Sequence, residues 1–446
     1  VLRVAALLLI ATTTPGNPQA AATDCADVQS CRQAALDAAA AGDFEAFHDL
    51  AWRAAQKGRR NDPDLMYLVA RAQSRSGRPG DALVMLRRLA QMGVATDAGT
   101  SPDFERVRRL AGWAEVESLI AEVRARPAAP AAPAEPPRPT RTTGVEPPAG
   151  RLAASSAPAP ASAKPEAAAA APPTAEEALR VSGILIEPVG LVYDDVSRRF
   201  IVGNRAANKL VVIDEVFNRV TDMVAAASGG FFGLTALEID RRRGDLWVAN
   251  SADGAAALHK LQLVSGRVLF AAQLPAESGA ARFEALTVTP AGAVLALDSA
   301  GRRIFRVKSG TRTFERAAAL DLTAPSGIAA ADERMAFVSH AGGIARVDLA
   351  SGTATPLRGA SGVSLDGLKR IWWVGGGLVG LQSAGADRLR IVRLPLDRQS
   401  GTVLAAQVLA ADVSLPDATA SAIGRNELYY LTIEDGAPVI RRVRLR

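Results

Sequence analysis

Histidine, cysteine and aromatic side chains are scarce in this chain of 446 residues, which holds three histidines, two cysteines and 5% aromatics. His48, His259 and His340 stand in unrelated settings, and Cys25 and Cys31 lack the spacing of a redox or zinc pair. That removes zinc chemistry and dithiol redox catalysis. No Gly-x-Ser-x-Gly elbow joins a strand to a helix, so there is no nucleophile of that type. The net charge of +6 is thinly spread and includes the arginine-rich end "VIRRVRLR". With no base-stacking motif and no basic helix, the sequence speaks against nucleic acid as a partner.

Also lacking is an apolar run long enough to span a bilayer. The chain opens "VLRVAALLLIATTTPGNPQAAATDC", where Arg3 precedes an apolar run from Val4 to Ala11 and small residues follow at Ala20 to Ala22. That order reads as a secretory signal over residues 1–22, predicting an exported, periplasmic or secreted protein with no transmembrane span in the mature chain. Asp24 stands where a lipid-anchored cysteine would need a small residue. In an oxidising compartment Cys25 and Cys31 can pair; the alternative is two free thiols.

Residues 25–125 read as helices in three pairs. "QAALDAAAAGDFEAFHDLAWRAAQKG" breaks near Gly42, and Phe44, Phe47, Leu50 and Ala51 recur at helical spacing. "DPDLMYLVARAQSRSG" and "RPGDALVMLRRLAQMG" form a second pair, with Asp62 or Asp64 as a cap, Pro79 at a start, and Gly77 and Gly93 at ends. "SPDFERVRRLAG" and "WAEVESLIAEVRA" form the third. His48, Trp52 and Trp113 are expected in the core. Residues 126–175 are a Pro/Ala-rich linker; positions 127–175 hold 13 of the 26 prolines. Such a composition is extended and semi-stiff, and is expected to separate the helices from the C-terminal region.

Residues 176–446 repeat. Six segments begin alike: "GLVYD", "ALEID", "ALTVT", "GIAAA", "GVSLD" and "ATASA". Each is followed by a second run, "RFIVGN", "DLWVAN", "AVLALD", "RMAFVS", "RIWWVG" and "ELYYLT", and then by a third. Short strands at this spacing predict a six-bladed β-propeller. The sixth unit runs out after its third strand, so residues 181–186, "VSGILI", are expected to supply its outer strand and close the ring. "ASGGFFG" (227–233) then links two blades and cannot cradle phosphate; its phenylalanines line the channel mouth or pack between blades.

The pattern "GLxxD…LxVxN", with a following strand ending in Asp, resembles the senescence-marker-protein/gluconolactonase superfamily, and "VLALDSAGRRIFRV" (294–307) resembles an NHL repeat. The second helix pair, through Ala70, Gly77, Ala82, Leu86 and Ala90, resembles a tetratricopeptide repeat. The fold class is therefore multidomain, a small helical hairpin-repeat region followed by an all-β propeller. In lactonase members a glutamate just before the first-blade glycine helps hold a divalent metal such as calcium, with Asn and Asp from later blades. This chain has Val189 there. Glu187 lies two residues earlier, about 6 to 7 Å away along a strand, too far for a ligand.

The equivalent positions are Val189, Thr235, Glu284, Ser326, Ser361 and Asp417. Antiparallel pairing puts Asn204, Asn250, Asp298 and His340 on the same face. Glu284 and Asp417 lie three blades apart, facing across the channel. Glu284, Asp417, Asn250, Asp298 and Asn204 are thus the candidate ligand or metal residues, of a chemistry that suits a hard cation; the alternative for Asp and Asn at strand ends is turn capping. These features support two functions. One is an exported, non-enzymatic scaffold that binds ligands or cell-envelope proteins. The other is a metal-dependent lactone hydrolase with its site in the channel.

Overall fold

The computed structural model describes residues 25–126, 175–181, 186–385, 388–397 and 401–445. The segment 1–22 that reads as a signal and nearly all of the expected linker lie outside them. Helices α1 (Val28–Ala40), α2 (Phe44–Lys57), α3 (Pro63–Arg75) and α4 (Pro79–Gln91) pack in succession, and a short α5 (Glu105–Arg108) and α6 (Trp113–Ala125) complete the region. Asp27, Asp43 and Asp62 accept first-turn N–H groups and fix the starts of α1, α2 and α3. Gly77 and Gly93 take positive φ just past α3 and α4. A disulfide joins Cys25 to Cys31, with Cα atoms 4.9 Å apart, at the start of α1. His48, Trp52 and Trp113 are buried.

The rest is a six-bladed propeller, each blade a four-stranded antiparallel sheet. The inner strands are Pro188–Asp194, Leu234–Asp240, Phe283–Val288, Gly327–Ala330, Leu368–Val374 and Ser421–Ile423. Two expectations are corrected. Blade five does not start at "GVSLD". Gly362 and Gly367 adopt positive φ and make that segment a turn, from which Leu365 is buried. Its inner strand is "LKRIWWV", and "GLVGLQS" is the second. The ring is closed by Glu176–Arg180, antiparallel to Ala437–Arg444, rather than by residues 181–186. Of that expected strand only Val181 and Ile186 are described. Both are buried in the core between blades one and six, so apolar residues that read as a strand serve as packing.

Aspartates close many of the turns. Asp194, Asp214, Asp240, Asp332 and Asp348 each accept two backbone N–H groups from the residues two and three ahead. This is the Asx-turn geometry, and it explains why so many strands end in Asp. All five stand at turns between first and second or third and fourth strands, on what we call the lower face. The start of each inner strand and the second-to-third turn lie on the opposite, upper face.

The helical region sits on the lower face against blades one, two and six. One apolar core runs without a break from α2, α3 and α4 into blades one and two. Trp52 lies on the turn that holds Gly244; a Cβ there would stand 3.0 Å from the indole, and φ is +61°. Arg78 pairs with Asp245 at 2.6 Å and Arg88 with Asp214 at 2.9 Å. Asp81 accepts the Ser265 N–H, Gln56 donates to the Arg241 carbonyl, and Arg425 of blade six donates to the carbonyls of Ala55 and Gly58. The linker therefore does not hold the two regions apart.

Candidate functional site

In four blades the inner strand carries a β-bulge at the same place, and the extra residues are Gly190, Thr235, Glu284 and Lys369. Bulges re-aim a side chain, here toward the upper mouth of the channel. By this register the first-blade equivalent of Glu284 is Gly190 rather than Val189, and the fifth-blade equivalent is Lys369 rather than Ser361. The shift comes from the bulge and from the reassigned strand.

Glu284 and Asp417 do line one cavity of about 240 Å³, together with Lys369 and Arg370. Each already has a cationic partner. Arg282 Nε donates to Glu284 at 3.0 Å, and Arg205 donates to Asp417 at 2.6 Å. The other Asp417 oxygen accepts the Thr419 N–H and hydroxyl. The remaining candidates do not join them. Asn250 is fully buried, its amide nitrogen 3.0 Å from His259 Nδ1 and its oxygen accepting the Phe232 N–H. Phe231 packs edge-on against that histidine. Asp298 is fully buried and accepts from the backbone of Arg282 and Gly301 and from the Arg303 guanidinium. Asn204 is buried, with Oδ1 unpartnered. Glu187 is exposed, near Arg205. Among the described residues, no three His, Cys, Asp or Glu side chains gather closely enough to share a cation.

A larger cavity, about 700 Å³, occupies the lower half of the channel. Inner strands of the propeller and a wall from α2, Arg53 and Gln56, surround it. Sequence reading missed its most distinctive charged groups, Glu238 and Arg370, which Trp372 joins in the lining. Arg370 lines both this chamber and the upper cavity, so it stands at the waist of the channel. It donates to the Thr419 carbonyl of the neighbouring blade six and lies 5.1 Å from the Trp372 ring centre. Burial pulls its guanidinium below the ordinary value, against the pull of Glu238 and Asp417. Burial likewise raises the Glu238 carboxyl, against Arg370 and Arg241. The one signal was a carboxylate in the middle of "ALEID". Arg370 was hidden by the misplaced fifth inner strand. Trp373, one residue on from Trp372, faces the other way and stacks on Phe337 between blades four and five, centroids 5.2 Å apart.

No protein-family model matches this chain. No curated protein matches it either. Among solved structures it is similar to a PQQ-bound aldose sugar dehydrogenase from Streptomyces coelicolor, at 13% identity over 61% of this chain and 99% of that one, TM-score 0.41. It is also similar to a gluconolactonase from Xanthomonas campestris, at 14% over 62% and 99%, TM-score 0.40. A third is regucalcin, a calcium-binding protein from Agrobacterium tumefaciens, at 16% over 61% and 96%, TM-score 0.41. At such identities and scores the likeness says nothing of activity.

Proposed function

We propose that this protein is an exported, non-enzymatic binding scaffold whose helical region and propeller act as one rigid body toward ligands or proteins of the cell envelope. The observation that carries this reading is the commitment of the upper-mouth acids. Glu284 and Asp417 are held by arginines, while Asn250 and Asp298 are spent on internal hydrogen bonds. A hard cation needs six or more oxygens free to converge. Export is supported by the signal-like opening and by the disulfide, which suits an oxidising compartment. No helix among the described residues is long and apolar enough to cross a membrane.

The hydrolase reading is favoured by one fact, the presence of Glu284 and Asp417 in one cavity. Calorimetry of the full chain with calcium and with zinc, beside a Glu284→Ala/Asp417→Ala variant and a lactone-hydrolysis assay, separates the two. The scaffold reading expects no stoichiometric metal and no turnover. Metal-dependent hydrolysis that the double variant loses overturns it.

A further inference from the structure

The lower chamber has an unusual balance of charge. Many of the polar groups around it are already used. Arg241 donates to the Ile423 carbonyl and stands 3.6 Å from Asp195. Asp240 and Asp332 close turns, and Glu333 accepts from Thr289 and from the Ala291 N–H. Arg242, at the edge, donates to the Pro290 carbonyl. Toward the waist, two opposite charges remain under-used. Among the described residues, the Glu238 carboxylate accepts only the N–H of its neighbour Ile239, through one oxygen. The Arg370 guanidinium, with five N–H donors, makes one hydrogen bond among the described residues, to Thr419.

These two groups sense each other electrostatically, yet no ion pair within 4 Å joins them among the described residues. Direct closure would be the ordinary fate of a half-buried acid and a buried guanidinium, because an unpaired desolvated charge is costly. Arg370 is held away by its bond to Thr419 on blade six and by the Trp372 ring beneath it. The gap opens into the 700 Å³ chamber, where alanine, leucine, isoleucine and valine make up about half of the remaining wall and the other charged groups include Asp240, Arg241, Arg242, Asp332 and Glu333. The exposed Pro290 and Glu333 at its edge connect it to solvent, beside Arg53 and Gln56 of α2.

We infer that this chamber is a binding site for a small zwitterion with an apolar body, of the class of a free α-amino acid or a short peptide. The ammonium of such a ligand neutralises Glu238, its carboxylate takes the free guanidinium donors of Arg370, and its side chain lies on the aliphatic wall and the indole of Trp372. An uncharged polyol satisfies the hydrogen bonds but leaves both charges uncompensated. A ligand of one charge leaves the opposite wall unpaired. This inference rests on the reading of the protein as a binding scaffold and places its small-molecule site on the lower side of the channel, away from Glu284 and Asp417.

The test is calorimetry of the full chain with four probes: L-leucine; isoamylamine, which lacks the carboxylate; 4-methylpentanoate, which lacks the ammonium; and methyl α-D-glucoside. The expected result is saturable one-to-one binding of leucine, with both singly charged analogues at least 10-fold weaker and no heat from the glucoside. Glu238→Gln and Arg370→Gln should each weaken leucine binding by 10-fold or more, while Arg370→Lys retains part of it. Thermal denaturation checks that each variant folds, and the four-probe comparison on the unaltered protein stands if one does not. Binding of the glucoside in place of leucine, equal binding of leucine and its analogues, or no binding by any probe overturns the inference. The scaffold reading survives those outcomes, since it falls only to metal-dependent turnover at the upper mouth.

Discussion

Arg78, the residue just before α4, and Asp245 of blade two meet at 2.6 Å with both side chains out of water, and Lys260 Nζ stands 2.7 Å from the other Asp245 oxygen. The seam between helices and propeller thus contains buried charge as well as apolar surface. Arg78→Leu leaves Asp245 with one cation instead of two. We expect a loss of about 3 kcal/mol, at the low end for breaking a buried pair because Lys260 remains. Urea unfolding measures it.

Trp52 is the largest side chain in that seam and is 1% exposed. Trp52→Ala opens a cavity against Gly244 and should cost about 3 to 5 kcal/mol. Gly244→Ala attacks the same contact from the other side, through positive φ and the close approach of the indole. Its cost should be about 1 to 3 kcal/mol. Thermal denaturation of the two variants and their combination should show that the effects do not add, since the residues touch.

Asp240 gives the seam a pH dependence. Burial, and next the nearby Asp245, push its carboxyl up to about 6. The folded protein then holds a proton that the unfolded chain has released, so stability falls as pH rises from about 4 to 6 and is level above. Asp240→Asn keeps an oxygen for the N–H groups of Arg242 and Arg243. It should therefore gain roughly 2 to 3 kcal/mol on the parent at pH 7.5, at about 1.4 kcal/mol per pKa unit, and almost nothing at pH 4. Unfolding curves at the two pH values check this.

The Cys25–Cys31 bridge closes a very short loop at the first turn of α1. Chain-entropy arguments assign such a loop about 2 kcal/mol. Cys25→Ser/Cys31→Ser should speed amide exchange in α1 and leave the propeller strands unchanged, which hydrogen–deuterium exchange resolves.

The blade count was legible because period-two apolar strands recur in register with their turn residues. The boundaries of α3 and α4 were legible because Asp62, Gly77 and Gly93 have local roles that need no tertiary context. Blade five was misread because "GVSLD" carries the apolar spacing of an inner strand while two glycines in positive φ fold it as a turn. The site was less legible still. Whether Asp298 faces a ligand or Arg303 depends on partners far from it in the chain or across a hairpin. Glu238 and Arg370 come from blades two and five, so only the closed ring brings their charges within reach.

Both ends of the segment between Arg126 and Ala175 are anchored in one packed body, the first by α6 and the second by the strand that closes the ring. A single peptide-bond cut anywhere between them would therefore not release a domain. It would convert the chain into two pieces, residues 25–126 and the propeller, held together by the seam around Trp52, Arg78 and Arg88. Such a pair should co-purify after limited proteolysis, and should reassemble when the halves are produced as separate polypeptides.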